Sequence, residues 1–372
     1  MAIVEFGDIV RDVKINVDRS NNPYSHYVAG DHMDSEDLTI HRCGNFATDD
    51  VGPAFTRIFK PGQILYGSRR TYLKKVAVAD FEGICANTTF VLESKDETIF
   101  DNRLLPFVML SDSFTRWSIS HSKGSTNPYV LFSDLAGYEF NLPSIEEQRV
   151  LVDKLWAAYR LKESYKKLLA ATQEMVKSQF IEMFTNNNFE MVPLGDLCDK
   201  ISDGSHNPPK GIENSKYLMI SSKNVFKDHL DLTDVRYLTE EDFEVENKRT
   251  NVKANDVLLT IVGTIGRTYL VKGDEGNLVM QRSVAVLTPN SRVTPLFLMF
   301  YLHSDKNLEK EGRGNAQKGI YLKQLSQYEI KVPSIDLQKQ FEAIYRQADK
   351  SEFELRKSIE SIDAVIKSLI NS

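Results

Sequence analysis

LPSIEEQ, Leu142–Gln148, and VPSIDLQ, Val332–Gln338, are one phrase written twice. Each is a helix start. Ser144 is an N-cap with Glu147 three residues on, a capping box in which side chain and backbone satisfy each other's free donors. Ser334 begins the second in the same way, with Leu337 where the acid would stand. No glycine or proline interrupts either following segment until its end, and that absence permits a long helix. In the second segment Phe341, Ala348, Leu355, Ile362 and Leu369 fall seven apart, with Tyr345, Ile359 and Ile366 beside them. The same register in the first gives Leu151, Ala158 and Tyr165, with Leu155, Leu169 and Val176. A seven-residue apolar repeat makes a coiled-coil seam, here interrupted by Lys162 and Glu352. A length of about 38 residues gives roughly 57 Å of helix.

Outward from these starts, the rest of the chain also reads twice. VEFGDIV, Val4–Val10, returns as VPLGDLC, Val192–Cys198, and RTYLKK, Arg70–Lys75, as RTYLVK, Arg267–Lys272. Each half opens with about 140 residues of mixed structure. Strands are expected at Gln63–Ser68, Val76–Asp80 and Asn87–Glu93, with counterparts at Val257–Val262, Thr268–Lys272 and Ser283–Leu287. The fold class is α+β, with globular parts at 1–143 and 189–332 and long helices at 144–188 and 333–372.

The 372 residues suit more than one domain. With 41% hydrophobic and 26% charged residues the chain reads as soluble and globular. It shows no signal peptide and no apolar run of roughly 20 residues, so a cytoplasmic protein without membrane contact is expected. Cys43, Cys85 and Cys198 are far apart and without metal-ligand spacing, so no structural metal is expected. The net charge of −6 hides local segregation. Val51–Ala79 carries Arg57, Lys60, Arg69, Arg70, Lys74 and Lys75 and no acid, and Gly312–Tyr328 carries Arg313, Lys318 and Lys323 and no acid.

Catalytic machinery is not legible. There is no Gly-Lys dipeptide to end a phosphate-cradling loop. An adenine methyltransferase uses Asn/Asp-Pro-Pro-aromatic, in which the aromatic stacks on a flipped base. Asn207-Pro208-Pro209 is followed by Lys210, and Asn127-Pro128-Tyr129 lacks the second proline. The chain is therefore expected to bind no cofactor and to be no enzyme.

The duplication, the PSI-x-x-Q helix starts and the long last helix resemble the DNA specificity subunits of type I restriction–modification systems. DGSHNPPKG, Asp203–Gly211, looks like that family's motif near the start of a target recognition domain. Gly124–Gln148 and Gly314–Gln338 look like its domain endings. The first half has SNNPYSHYVAGDHM, Ser20–Met33, in place of the Asp-Gly-Ser-His element. The resemblance implies two target recognition domains joined by two long antiparallel helices and a bipartite, asymmetric site on double-stranded DNA. It also implies two adenine methyltransferase subunits bringing S-adenosylmethionine, and restriction/translocase subunits bringing ATP and Mg.

Base and phosphate contacts are then expected from Arg69, Arg70, Tyr72, Lys74, Lys75, Lys123, Ser125 and Asn127 in the first half. In the second half they are expected from Ser205, His206, Asn207, Lys210, Arg267, Arg313, Asn315, Gln317 and Lys318. Arginine pairs guanine well, and asparagine or glutamine pairs adenine. Because RTYL stands in both halves, Arg70, Tyr72, Arg267 and Tyr269 are assigned structural or phosphate roles ahead of base readout. The alternatives are the specificity subunit of a fused nuclease–methyltransferase of type II, a self-sufficient DNA enzyme, and a helical protein-binding adaptor.

Overall fold

Ala2–Glu5 pairs antiparallel with Glu139–Leu142, and Glu190–Pro193 pairs antiparallel with Glu329–Val332, so each globular part is tied off where it begins and ends. This is seen in a computed structural model that describes residues 2–18, 21–184, 188–227, 229–313 and 318–371. The chain divides into two compact units, Met1–Leu168 with Glu354–Ser372, and Leu169–Phe353.

In the first unit a four-stranded antiparallel sheet runs in the order Val10–Asp12, Thr89–Ser94, Ile64–Gly67, Val76–Val78. A second sheet has the order Gly44–Asn45, His26–Val28, Gly83–Ala86, Phe55–Phe59, with His26–Val28 parallel to Gly83–Ala86. The second unit repeats the plan. Cys198–Asp203, Val284–Pro289, Val257–Thr260 and Thr268–Leu270 make the antiparallel sheet. Arg236–Leu238, Tyr217–Ile220 and Asn277–Met280 make the other, again with one parallel pair. Central strands such as Val257–Thr260 are continuous apolar runs because both faces are covered. The helices read near Leu104–Ser120 and Pro295–His303 are present as Leu105–Leu110, Asp112–Ser120 and Pro295–Ser304.

The two PSI-x-x-Q phrases begin helices Ile145–Phe184 and Ile335–Asn371, of 40 and 37 residues. The capping box is formed: Ser144 N donates to Glu147 Oε2 at 2.9 Å, and Glu147 N to Ser144 Oγ at 3.4 Å. The glutamine that closes the phrase has a role that the sequence did not disclose. Gln148 is fully buried; its Nε2 donates to the carbonyls of Ile99 (3.0 Å) and Pro143 (2.9 Å), and its Oε1 accepts from Asp101 N at 3.0 Å. Gln338, also fully buried, repeats this with the carbonyls of Arg292 (3.2 Å) and Pro333 (2.9 Å) and with Thr294 N at 2.7 Å. One amide thus satisfies two backbone groups of the segment leading into the domain helices and one at the start of its own helix, groups that would be costly to bury unpaired.

In the first unit Tyr159 and Lys162 share a pocket wall with Asp363 and Ile366, while Leu151 and Leu155 share one with Leu369 and Ile370, so the helices run antiparallel there. In the second unit Phe180 packs on Phe341 at 5.3 Å and Gln173 donates to Glu352 at 3.0 Å, the same sense. The two breaks in the apolar register are thereby explained. Lys162 pairs with Asp363 at 2.5 Å and Glu352 accepts from Gln173.

Candidate nucleic-acid interface

Backbone pairing in the first unit gathers two distant stretches of sequence. Lys123 and Tyr129 exchange both backbone bonds (2.8 and 3.0 Å), closing a loop over 123–129. Tyr129 also bridges to Arg69, and Arg70 N donates to the Pro128 carbonyl at 2.7 Å. Arg70 and Lys74 both adopt left-handed backbone (φ 50 and 47), bracketing a single 3-10 turn, Thr71–Leu73, that buries Thr71 and exposes Tyr72. Non-glycine residues in this region cost of order 1 kcal/mol each, so packing around Thr71 holds a strained turn.

Arg69, Arg70, Lys123, Ser125 and Asn127 are all exposed on this rim. The Arg69 guanidinium lies 6.0 Å from the Tyr129 ring centroid, and Arg70 Nε donates to Asn127 Oδ1 at 3.3 Å. Lys123 Nζ reaches Asp134 at 2.9 Å and is half exposed. Lys74 and Lys75 are different. Lys74 Nζ sits between Glu36 (3.0 Å) and Asp112 (3.4 Å), and Lys75 Nζ donates to the Gly30 carbonyl at 2.5 Å. Their side chains are 16% and 19% exposed, so reaching a phosphate would first break bonds already made. Arg57, in the same acid-free stretch, is buried against Asp12 (2.8 Å) and the Thr89 carbonyl. Sequence segregation of charge therefore overstates the basic face, because the acids arrive from other segments.

The second unit makes a backbone closure at the same point of its plan. Arg313 and Gly319 exchange backbone bonds at 2.9 Å, and Gly319 bridges to Val262. Arg313 and Lys318 are exposed; Asn315 and Gln317 lie outside the described residues. In DGSHNPPKG, Gly204 is required by close approach, since a Cβ there would meet the Met280 carbonyl oxygen at 1.8 Å. Asp203 is buried and accepts from Arg249 Nη2 (2.5 Å) and His206 Nε2 (2.9 Å). Ser205 is buried and donates to Glu246 at 3.1 Å. The start of the motif is thus a structural knot, and His206, Asn207 and Lys210 are the exposed members.

The RTYL match does not survive in three dimensions. The strand register pairs Leu65 with Ala77 and Leu258 with Tyr269, so Tyr269 answers to Ala77 and not to Tyr72. Tyr269 is buried in a strand and donates to Glu275 at 2.8 Å, whereas Tyr72 is 53% exposed in a turn. Arg267 lies 4.7 Å over the Phe226 ring. Tyr129 and Phe226, which seat these arginines, were missed. Tyr129 stands in Asn127-Pro128-Tyr129, weighed above only as a methyltransferase fragment, and its aromatic neighbour to a basic loop was the available signal.

Among the described residues Asp37, His41 and Glu163 bring one ligand atom each within 4.8 Å of one another. Lys166 Nζ stands 2.9 Å from both carboxylates, so an ammonium already balances them. Burial alone would raise the Asp37 carboxyl, but bonds from Tyr159 (2.7 Å) and Lys166 outweigh it and hold it well below the usual carboxylate range. The cluster is an ion-pair network that fixes the loop of Asp37 to the first long helix. Among the described residues no helix is long and apolar enough to cross a membrane.

Comparison with known proteins bears on this arrangement. The family described as type I restriction modification DNA specificity domain matches twice, over residues 16–171 and 186–362. The type I restriction enzyme EcoBI specificity subunit of Escherichia coli is 30% identical over 149 residues, 38% of this chain and 31% of that protein. The EcoDI specificity subunit of Escherichia coli is 28% identical over 155 residues, 42% of this chain and 33% of that protein. The matched stretch therefore spans about a third of the length of either relative. A solved chain from work on assembly and conformational transition of the type I R-M system superposes with a TM-score of 0.60 at 19% identity, covering 99% of this chain and 96% of that one. The type I restriction–modification S subunit from M. genitalium gives 0.61 at 13% identity, covering 99% and 94%. At such identities these two likenesses speak to the fold alone.

Proposed function

The chain belongs to the family of type I restriction modification DNA specificity domains, and from that premise we propose that it is the DNA-reading subunit of a type I restriction–modification complex. The observation that carries this reading is the double one: each unit makes, at the same point of one plan, a backbone closure flanked by exposed cations, Lys123 with Tyr129 in the first and Arg313 with Gly319, beside Lys318, in the second. Two such readers suit a bipartite site, and because their loops differ in sequence the half-sites differ too. Phosphate contacts position and base contacts specify. Arg69, Arg70, Lys123, Arg313 and Lys318 suit phosphate or guanine, and Asn127 and Asn207 suit adenine. The chain itself performs no chemistry in this reading. Two adenine methyltransferase subunits supply S-adenosylmethionine, and restriction/translocase subunits supply ATP and Mg. Purified chain with S-adenosylmethionine and duplex DNA is expected to give no methyladenine, while addition of the methyltransferase subunit restores it. Methylation by the chain alone would overturn the reading.

The long helices serve in this proposal as a spacer between the readers, acting as an antiparallel coiled coil. Seven residues inserted near Ala171 keep the apolar register in phase and add about 10.5 Å to one helix. Methylation mapping of a strain carrying this variant should show unchanged half-site sequences and a spacer changed by about one to three base pairs, at 3.4 Å per base pair. An active variant that keeps the original spacer contradicts the spacer role.

A further inference from the structure

The backbone rungs that lead to the two closures correspond one by one. In the first unit the Thr88 carbonyl accepts from Ser68 N (3.1 Å), the Ser68 carbonyl accepts from Val130 N (2.9 Å), and the neighbouring Tyr129 makes the exchange with Lys123. In the second unit the Ser283 carbonyl accepts from Ile261 N (2.9 Å), the Ile261 carbonyl accepts from Ile320 N (2.9 Å), and the neighbouring Gly319 makes the exchange with Arg313. The sheet registers agree, pairing Gly67 with Thr89 and Thr260 with Val284. Asn87 and Arg282 therefore hold the same place in the two units, one residue before the first rung. There the chain passes from a strand of the parallel pair, Gly83–Ala86 or Asn277–Met280, into the antiparallel sheet.

The backbone at this place is fixed in both units, by different means. Asn87 N donates to the Ala54 carbonyl at 2.8 Å, and Ser68 Oγ donates to the Thr88 carbonyl at 2.5 Å. In the second unit Ser205 N donates to the Met280 carbonyl (2.8 Å) and Arg282 N to the Ser205 carbonyl (3.0 Å), so the buried start of DGSHNPPKG clamps the passage. Ser222 N holds the next residue, donating to Ser283 Oγ at 3.0 Å. The two side chains are nevertheless exposed, and among the described residues neither has a hydrogen-bond or ion-pair partner. Arg57, Lys74 and Lys75, by contrast, use their charged groups within the fold. A free polar group on a fixed backbone is preorganised for recognition. An asparagine amide matches the N6/N7 edge of adenine, and a guanidinium matches the O6/N7 edge of guanine.

We propose that Asn87 and Arg282 are the matched base-reading side chains of the two units, Asn87 for an adenine in one half-site and Arg282 for a guanine in the other. The inference rests on the DNA-reading function proposed above and adds two residues to its surface. Lys123 and Arg313, at the far end of the same rungs, then position the duplex.

The test is selection from a randomised duplex library by the methyltransferase assembled with the full chain, native or variant, with base frequencies read at every position. Arg282→Ala should lower discrimination at one G·C pair of one half-site by about tenfold or more and leave the other positions unchanged. Asn87→Ala should do the same at one A·T pair of the other half-site. On the native site neither variant should change the slope of log affinity against log salt, because no phosphate contact is lost. Unchanged base frequencies in either variant, relaxation of both positions within one half-site, or uniform weakening with a slope flattened by about 0.9 overturns the assignment and leaves DNA reading standing. A native assembly that selects no motif overturns the DNA-reading function itself, and the assignment with it.

Discussion

Replacing Arg69, Arg70 and Lys123 together with alanine should flatten the plot of log affinity against log salt by about 2.7, at about 0.9 per lost phosphate contact. The assembled methyltransferase should then bind its DNA roughly a hundredfold more weakly near physiological salt, if each contact contributes about 1 kcal/mol. These three cations stand exposed around one loop, closed by the exchange between Lys123 and Tyr129. Lys74→Ala with Lys75→Ala is the informative contrast. Those ammonium groups are occupied by Glu36, Asp112 and the Gly30 carbonyl, so the salt slope should move much less. Binding by titration at four or five salt concentrations measures both. An unchanged slope in the triple variant, or a larger change in the double one, would place the DNA elsewhere.

Gln148→Leu should lower the stability of the first unit by about 3–5 kcal/mol. The substitution keeps the volume and leaves Asp101 N and the carbonyls of Ile99 and Pro143 without their partner, at about 1–3 kcal/mol for each buried group left unpaired. At roughly 2–4 °C per kcal/mol for a unit of this size, the transition followed by tryptophan fluorescence should fall by about 10 °C. Gln338→Leu breaks the matching bonds in the second unit, which holds neither tryptophan, and should move that transition far less. Equal effects of both variants on the tryptophan signal would show that the units do not melt separately.

The fold was legible where one phrase recurs with its physical cause attached. Pro-Ser stops one element and caps the next, and the spacing of Phe341, Ala348 and Ile366 names the face that becomes buried. The site was legible as segments and not as directions. Lys74 and Lys75 lie beside Arg70 in sequence, yet a left-handed turn and acids from residues 30–36 and 112 draw them inward. RTYL misled because four shared letters carry no register, and only the strand pairing of Leu65 and Leu258 shows that Tyr269 answers to Ala77. The roles of Gln148 and Gln338 were hidden for another reason. A glutamine in an amphipathic helix reads as surface until the chain returning at Asp101 or Thr294 is seen to need its amide.

In the function proposed above, this chain chooses the DNA sequence for a methyltransferase that it does not itself contain. Adenine methylation should be mapped genome-wide in a host expressing the partner methyltransferase with and without this chain. The expected result is one bipartite, asymmetric motif with a fixed spacer, methylated only when the chain is present. The same motif methylated without the chain, or a continuous palindrome with it, would contradict a sequence-choosing role for this chain.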